Sequence, residues 1–200
     1  MFKKLLLLSL SLVFLHWPGM SALDSNFEKD MDFVKKSENL TGIKIEDLYN
    51  IPGLNIYNAE INPWIVGQGS LPDSKFPSEE EKIKIKSTTT IKINIIFING
   101  INGGFRLANF GNREYAILGY QDSSPPSTPY LASLLSGEKI ENALLLSKNY
   151  KNNVVTYLIY KGCVLRLALG RGRVKLNDQD LNFIDDFVKT MKKIIDKSIK

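Results

Sequence analysis

From Lys82 onward isoleucine and lysine alternate: Lys82-Ile83-Lys84-Ile85-Lys86, a pause through Ser87–Thr90, then Ile91-Lys92-Ile93-Asn94-Ile95. Period two in β-branched residues predicts strands, with isoleucine turned inward and lysine in water. The run becomes apolar on both faces at Ile95–Ile98. Asn99-Gly100 follows as a tight-turn dipeptide, and Asn102-Gly103-Gly104 repeats the turn signal. Strands at Phe105–Phe110 and Glu114–Tyr120, joined by Gly111-Asn112-Arg113, continue this into an antiparallel meander.

A second hairpin is expected from Val154–Tyr160 and Cys163–Leu169 around Lys161-Gly162. In it Cys163, Leu165, Leu167 and Leu169 share one face, and Val164, Arg166 and Ala168 the other. The chain ends in a strong amphipathic pattern over Asp178–Ile199, with Asn177 as N-cap and a stripe through Leu181, Ile184, Phe187, Val188, Met191, Ile194 and Ile195. Its acids come early and its lysines late, the order that the helix dipole favours.

Elsewhere the signals are weaker. Phe27, Met31 and Val34 predict a helix over Ser25–Glu38, and short strands are expected at Leu54–Ile61 and Trp64–Val66. Pro72–Glu81 reads as a solvated loop, and Asp122–Pro129 as a breaker. Helical spacing marks Tyr130–Leu135 and Lys139–Leu146. Together these elements predict an α+β fold, an antiparallel sheet of about five to seven strands with N- and C-terminal helices packed on it.

The first residues carry an address rather than a fold. Met1-Phe2-Lys3-Lys4 precedes an apolar run from Leu5 to Leu15, and His16-Trp17-Pro18-Gly19 breaks it. This is the pattern of a secretory signal peptide over residues 1–22, cut after Ser21 or Ala22, which leaves residues 23–200 as a single α+β domain. The expected location is the periplasm or the exterior, with membrane contact only through this segment if it stays uncleaved.

Export sharpens what the composition excludes. The formal net charge of +5 falls to +3 when Lys3 and Lys4 leave, and the chain's one histidine, His16, leaves with them. A mature chain without histidine cannot build a Ser-His-Asp triad, a Cys-His pair or an HExxH zinc site. One cysteine, Cys163, cannot form an internal disulfide or a CxxC pair. Ser136–Lys139 matches SxxK but lacks its companion motifs. Asp178–Asn182 opens like an EF-hand loop, yet has Phe183 and Lys189 where glycine and glutamate belong. No phosphate-binding loop signature occurs. No catalytic motif, cofactor or metal is implied. The basic residues are mostly lysines scattered along element exteriors, which does not point to nucleic acid.

Two functional readings follow. Strands that are apolar on both faces need a cover on the second face of the sheet. The expectation is therefore a non-catalytic exported domain that takes a protein partner or an apolar ligand there, with Ile96 and Ile98 as contact residues. The alternative is a histidine-independent hydrolase using Glu60 and Glu114, or an anion-binding protein using Arg171 and Arg173. Arg106, Arg113, Arg171 and Arg173 all lie in or beside glycine turns. If those turns share one end of the sheet, the four arginines form an anion-binding rim.

Overall fold

Helix α1 (Met20–Thr41) is the first element of the computed structural model, which describes residues 20–64, 72–123, 138–140, 143–149 and 152–200. Residues 1–19 of the expected signal segment (1–22) and the expected helix at Tyr130–Leu135 lie outside these residues, and residues 20–22 belong to α1. The chain divides into a unit ending at Asp32 and a second unit, Phe33–Lys200, which holds the sheet. Helix α1 starts earlier and ends later than its apolar spacing predicts. It stops at Gly42, whose φ of 69° is left-handed and whose N–H donates to the Glu38 carbonyl at 2.8 Å.

Among the described residues seven strands form one antiparallel sheet: β1 (Leu54–Pro63), β2 (Thr89–Phe97), β3 (Asn102–Asn109), β4 (Glu138–Ile140), β5 (Ala143–Asn149), β6 (Asn153–Tyr160) and β7 (Cys163–Gly170). Their spatial order is β1-β2-β3-β7-β6-β5-β4, so β3 pairs with β7 across a long stretch of sequence. Among the described residues three further helices belong to this unit: α2 (Glu79–Lys86), α3 (Arg113–Ser123) and α4 (Asp178–Ser198). The α+β class and the antiparallel sheet with helices packed on it are as the patterning predicts.

The alternation within each strand sorts the residues onto two faces. Ile91, Ile93 and Ile95 of β2, Phe105 and Leu107 of β3, and Leu165, Leu167 and Leu169 of β7 point to the first face. There they meet the α4 stripe from Ile184 to Ile195, together with Val34, Ile43, Ile45 and Leu48. Asn177 caps α4 as expected, in a reciprocal box with Asp180. At the far end of α4, the Tyr160 hydroxyl donates to Asp196 at 2.6 Å, and Lys161 pairs with the same carboxylate at 3.1 Å. This ties the β6–β7 turn to the helix. That turn needs left-handed backbone at both central residues, Lys161 (φ 46°) and Gly162 (φ 77°).

The second face carries its own cover over one end. Trp64, Phe76, Ile85 of α2, and Ala116 and Tyr120 of α3 pack against Ala108, Phe110, Ile159 and Val164. The Trp64 indole donates to the Gly119 carbonyl at 3.1 Å, and its ring meets Phe110 edge-on.

Four expectations are overturned. Glu79–Lys86 is a helix, not a loop followed by an Ile/Lys strand. Ser78 accepts the Glu81 N–H at 3.2 Å, three glutamates fill the first turn, and Lys84 and Lys86 sit in the last. In a strand Ile83 and Ile85 would share a face; here Ile85 is 1% exposed and Ile83 65%. Arg113–Ser123 is also a helix, because Asn112 accepts the Tyr115 N–H at 2.8 Å and so starts α3.

Conversely, the helical spacing of Lys139–Leu146 gives way to strands β4 and β5, as pairing with β6 overrides the helix propensity of a leucine run. Finally, Asn102-Gly103-Gly104 begins β3 instead of making a turn. Gly100 (φ 84°) turns the chain, with the Phe97 N–H bonded to the Ile101 carbonyl at 2.8 Å. A Cβ on Gly104 would stand 2.6 Å from the Ile93 carbonyl, so glycine is needed for close approach to β2. Trp64 itself lies just past the end of β1, outside any strand.

Candidate functional site

The register places one row of side chains across the second face. Glu60 of β1 is opposite Lys92 of β2, Lys92 opposite Arg106 of β3, Arg106 opposite Arg166 of β7, and Arg166 opposite Tyr157 of β6. Neighbouring strands stand about 4.8 Å apart, so the three cations span about 10 Å. This row lies immediately beyond the apolar patch that α2 and α3 cover, and its members are partly exposed.

The ends of the row are satisfied and its middle is not. Glu60 accepts from Asn58 at 2.8 Å and from Asn62 at 3.1 Å, and Lys92 lies 3.5 Å away. Those two amides, and then the Lys92 charge, hold the Glu60 carboxyl below its ordinary value. An acid so held stays ionised, which suits a charge partner and not a proton donor. At the other end Arg166 Nε donates to the Tyr157 hydroxyl at 3.0 Å. Arg106 has no hydrogen bond or ion pair among the described residues. Burial, and then the facing charge of Arg166, push its pKa down from the ordinary value, yet a guanidinium remains charged in any ordinary environment.

Beyond the row the face becomes neutral and small. Asn94, Gly104, Ala168 and Val155 form the next rank on β2, β3, β7 and β6, with Lys148 at the following register position on β5. Ile96, Asn102, Gly170 and Asn153 form the last. Where a side chain on Gly104 would project, 2.8 Å away, lies the Asn94 Oδ1; the Asn153 amide lies over Gly170 in the same way.

The arginines do not gather into a rim. Arg171 and Arg173 share an end of the sheet with the Gly100 turn, and an Arg171 Nη1 approaches to 3.8 Å of where a Gly100 side chain would begin. Arg113 follows Gly111 at the opposite end, beside Gly162. The eight residues of β3 separate the two ends by about 25 Å, and Arg106 lies between them. Arg171 is also committed: its Nε and Nη2 donate to Asp180 Oδ1 at 2.9 and 2.7 Å. Asp180 is 2% exposed and caps α4, so this pair is structural. Arg173 is exposed in its turn.

Glu60 and Glu114 stand on β1 and in the first turn of α3, and Glu114 is exposed. Ile96 is 40% exposed in the last rank, and Ile98 is 89% exposed in the turn beyond it. Cys163 is buried, and burial pushes its thiol up to about 12, which keeps it protonated and unreactive near neutrality. Among the described residues no group of acids, cysteines or histidines is arranged to hold a metal ion, and no helix is long and apolar enough to cross a membrane.

Sequence reasoning passed over Lys92 and Arg166. The period-two pattern did put Lys92 outward and Arg166 opposite the leucine stripe; what it lacked was the β3–β7 pairing that brings them beside Arg106. No family model, no curated protein and no solved structure matches this chain.

Proposed function

We propose that this chain is an exported, non-catalytic binding domain whose ligand is anionic and sits on the open part of the second sheet face. One observation carries the reading: Arg106 and Arg166 stand opposite each other on central strands, and Arg106 has no ionic partner among the described residues. Two guanidinium groups side by side repel, and an oxyanion between them turns that repulsion into two charge-assisted contacts. Lys92 adds a third positive charge, and Glu60 orients Lys92 without neutralising the row. This keeps the anion-binding reading of the sequence but moves it from Arg171 and Arg173 to Lys92, Arg106 and Arg166.

Calorimetric titration of the purified chain with inorganic phosphate and pyrophosphate tests it. Arg106→Met and Arg166→Met are each expected to weaken binding about 10- to 100-fold, the scale of one charge-assisted contact. Arg113→Met and Arg173→Met are expected to leave it unchanged. Equal affinities across all four variants would remove the site.

A second reading places a protein partner or apolar ligand on Ile96 and Ile98, whose exposures of 40% and 89% favour it. It rests on a smaller apolar area than the sequence suggests, because α2, α3 and Trp64 already cover the apolar end of this face. Ile96→Lys is then expected to abolish capture while the fold persists; capture by that variant excludes the reading.

A further inference from the structure

The charged row is one rank of a longer surface, and the neighbouring ranks define what an anion bound there would carry with it. Two residues along a strand advance about 7 Å, close to the width of one sugar ring, so Asn94 stands one such step beyond Lys92 on the same face. Asn94, Asn102 and Asn153 all project from this face, and among the described residues their side-chain amides make no hydrogen bond. Gly104 and Gly170 have no side chain of their own, and the amides of Asn94 and Asn153 lie over them; Ala168 is the one small side chain between.

An amide both donates and accepts, and so does a sugar hydroxyl. Amides laid low over the glycines present these groups to a ring lying across them, and the partly exposed Tyr157 ring closes one side of the charged row.

Other anions fit less well. A polyphosphate would need cations continuing into the next rank, where the four central positions Asn94, Gly104, Ala168 and Val155 carry none. A lipid would need a broad apolar floor, and the central positions of these ranks offer Ala168, Val155 and Ile96. We propose that the ligand is an acidic saccharide, its carboxylate or phosphate held between Arg106 and Arg166 and its hydroxyls by Asn94, Asn102 and Asn153. This rests on the oxyanion reading above and adds the class of molecule that bears the anion.

The test titrates the full chain with three probes: an oligogalacturonate trimer, its fully methyl-esterified form, and inorganic phosphate. The trimer is expected to bind at least 10-fold more tightly than either of the others, since one lacks the charge and the other the hydroxyls. Asn153→Ala, at an exposed strand end, and Asn94→Ala are expected to weaken trimer binding several-fold and to leave phosphate binding as it was. Phosphate binding equal to that of the trimer, with no effect of either asparagine, would overturn the saccharide and leave the oxyanion site standing. No binding of any probe by the wild-type chain would overturn both.

Discussion

Arg106 on β3 and Arg166 on β7 are register partners on the same face of the sheet, and among the described residues no carboxylate pairs with Arg106. Like charges placed directly across an antiparallel pair destabilise it. Among the described residues the acid whose charge reaches Arg106 is Glu60, two strands away and already engaged by Lys92, Asn58 and Asn62. The pair is therefore a local conflict with the fold, placed in the middle of the sheet where the strands are otherwise well packed. Conflicts of this kind between local chemistry and fold stability are characteristic of binding sites.

It follows that removing one of the two charges stabilises the protein as it disables the site. Arg106→Met is expected to raise the unfolding free energy by about 0.5–1 kcal/mol, in the range of cross-strand pair energies. Urea denaturation in low salt measures this, and the gain should shrink as salt screens the repulsion. A loss of stability in the variant would mean that Arg106 is held by partners of its own.

The helical assignment of Glu79–Lys86 has a sharp mutational signature. Ile85 is buried beneath Trp64 and Phe76, and Ile85→Ala is expected to cost about 2–4 kcal/mol. Ile83→Ala should change stability by less than about 0.5 kcal/mol, because Ile83 faces water. Similar losses at both positions would restore the strand that the alternation suggests.

The misreading of that segment shows where local pattern stops being informative. Lys82–Lys86 and Ile91–Ile95 share the same two-residue alternation, yet only the second is a strand. What separates them is Ser78 with the three glutamates behind it, a helix start whose meaning the lysine alternation obscures. The hairpin at Lys161-Gly162 and the α4 helix were legible because turn residues, cap and periodicity agree there. Half the candidate site was legible in the same way: Arg166 and Lys92 could be assigned to the polar face. Their meeting with Arg106 depends on β3 pairing with β7 over some sixty residues, which no local signal encodes.

Arg171 and Asp180 provide a contrast, an arginine whose role is structural. Burial alone would raise the Asp180 carboxyl, but the Arg171 bonds, the Asn177 N–H and the guanidinium charge together hold it below its ordinary value. A depressed carboxyl stabilises the fold above its unfolded pKa and loses that contribution as pH falls through its folded value. Asp180→Ala is expected to cost about 2 kcal/mol through the lost cap and the unpaired Arg171, and to flatten the loss of stability below pH 4. Anion affinity of the refolded variant at neutral pH should match wild type. A 10-fold fall in affinity would return Arg171 to the binding site.

Cys163 gives a prediction at the opposite end of the pH scale. Its thiol is raised from an ordinary value near 9 to about 12, so the unfolded chain ionises first as pH rises. The contribution is complete below pH 9 and is lost as pH climbs toward 12, at most on the order of 4 kcal/mol. The pH dependence of urea unfolding for wild type and Cys163→Ala should differ over that interval, with the shallower slope in the variant. Parallel slopes would show that the thiol is reached by water in the native state.

The most direct measurement of the central claim is the side-chain Nε–Hε spectrum of the chain's five arginines during a phosphate titration. The resonances of Arg106 and Arg166 are predicted to move together along one saturation curve, with those of Arg113, Arg171 and Arg173 unmoved. Movement confined to Arg113 or Arg173, or no saturation at any arginine, would contradict an oxyanion site on the open face of this sheet.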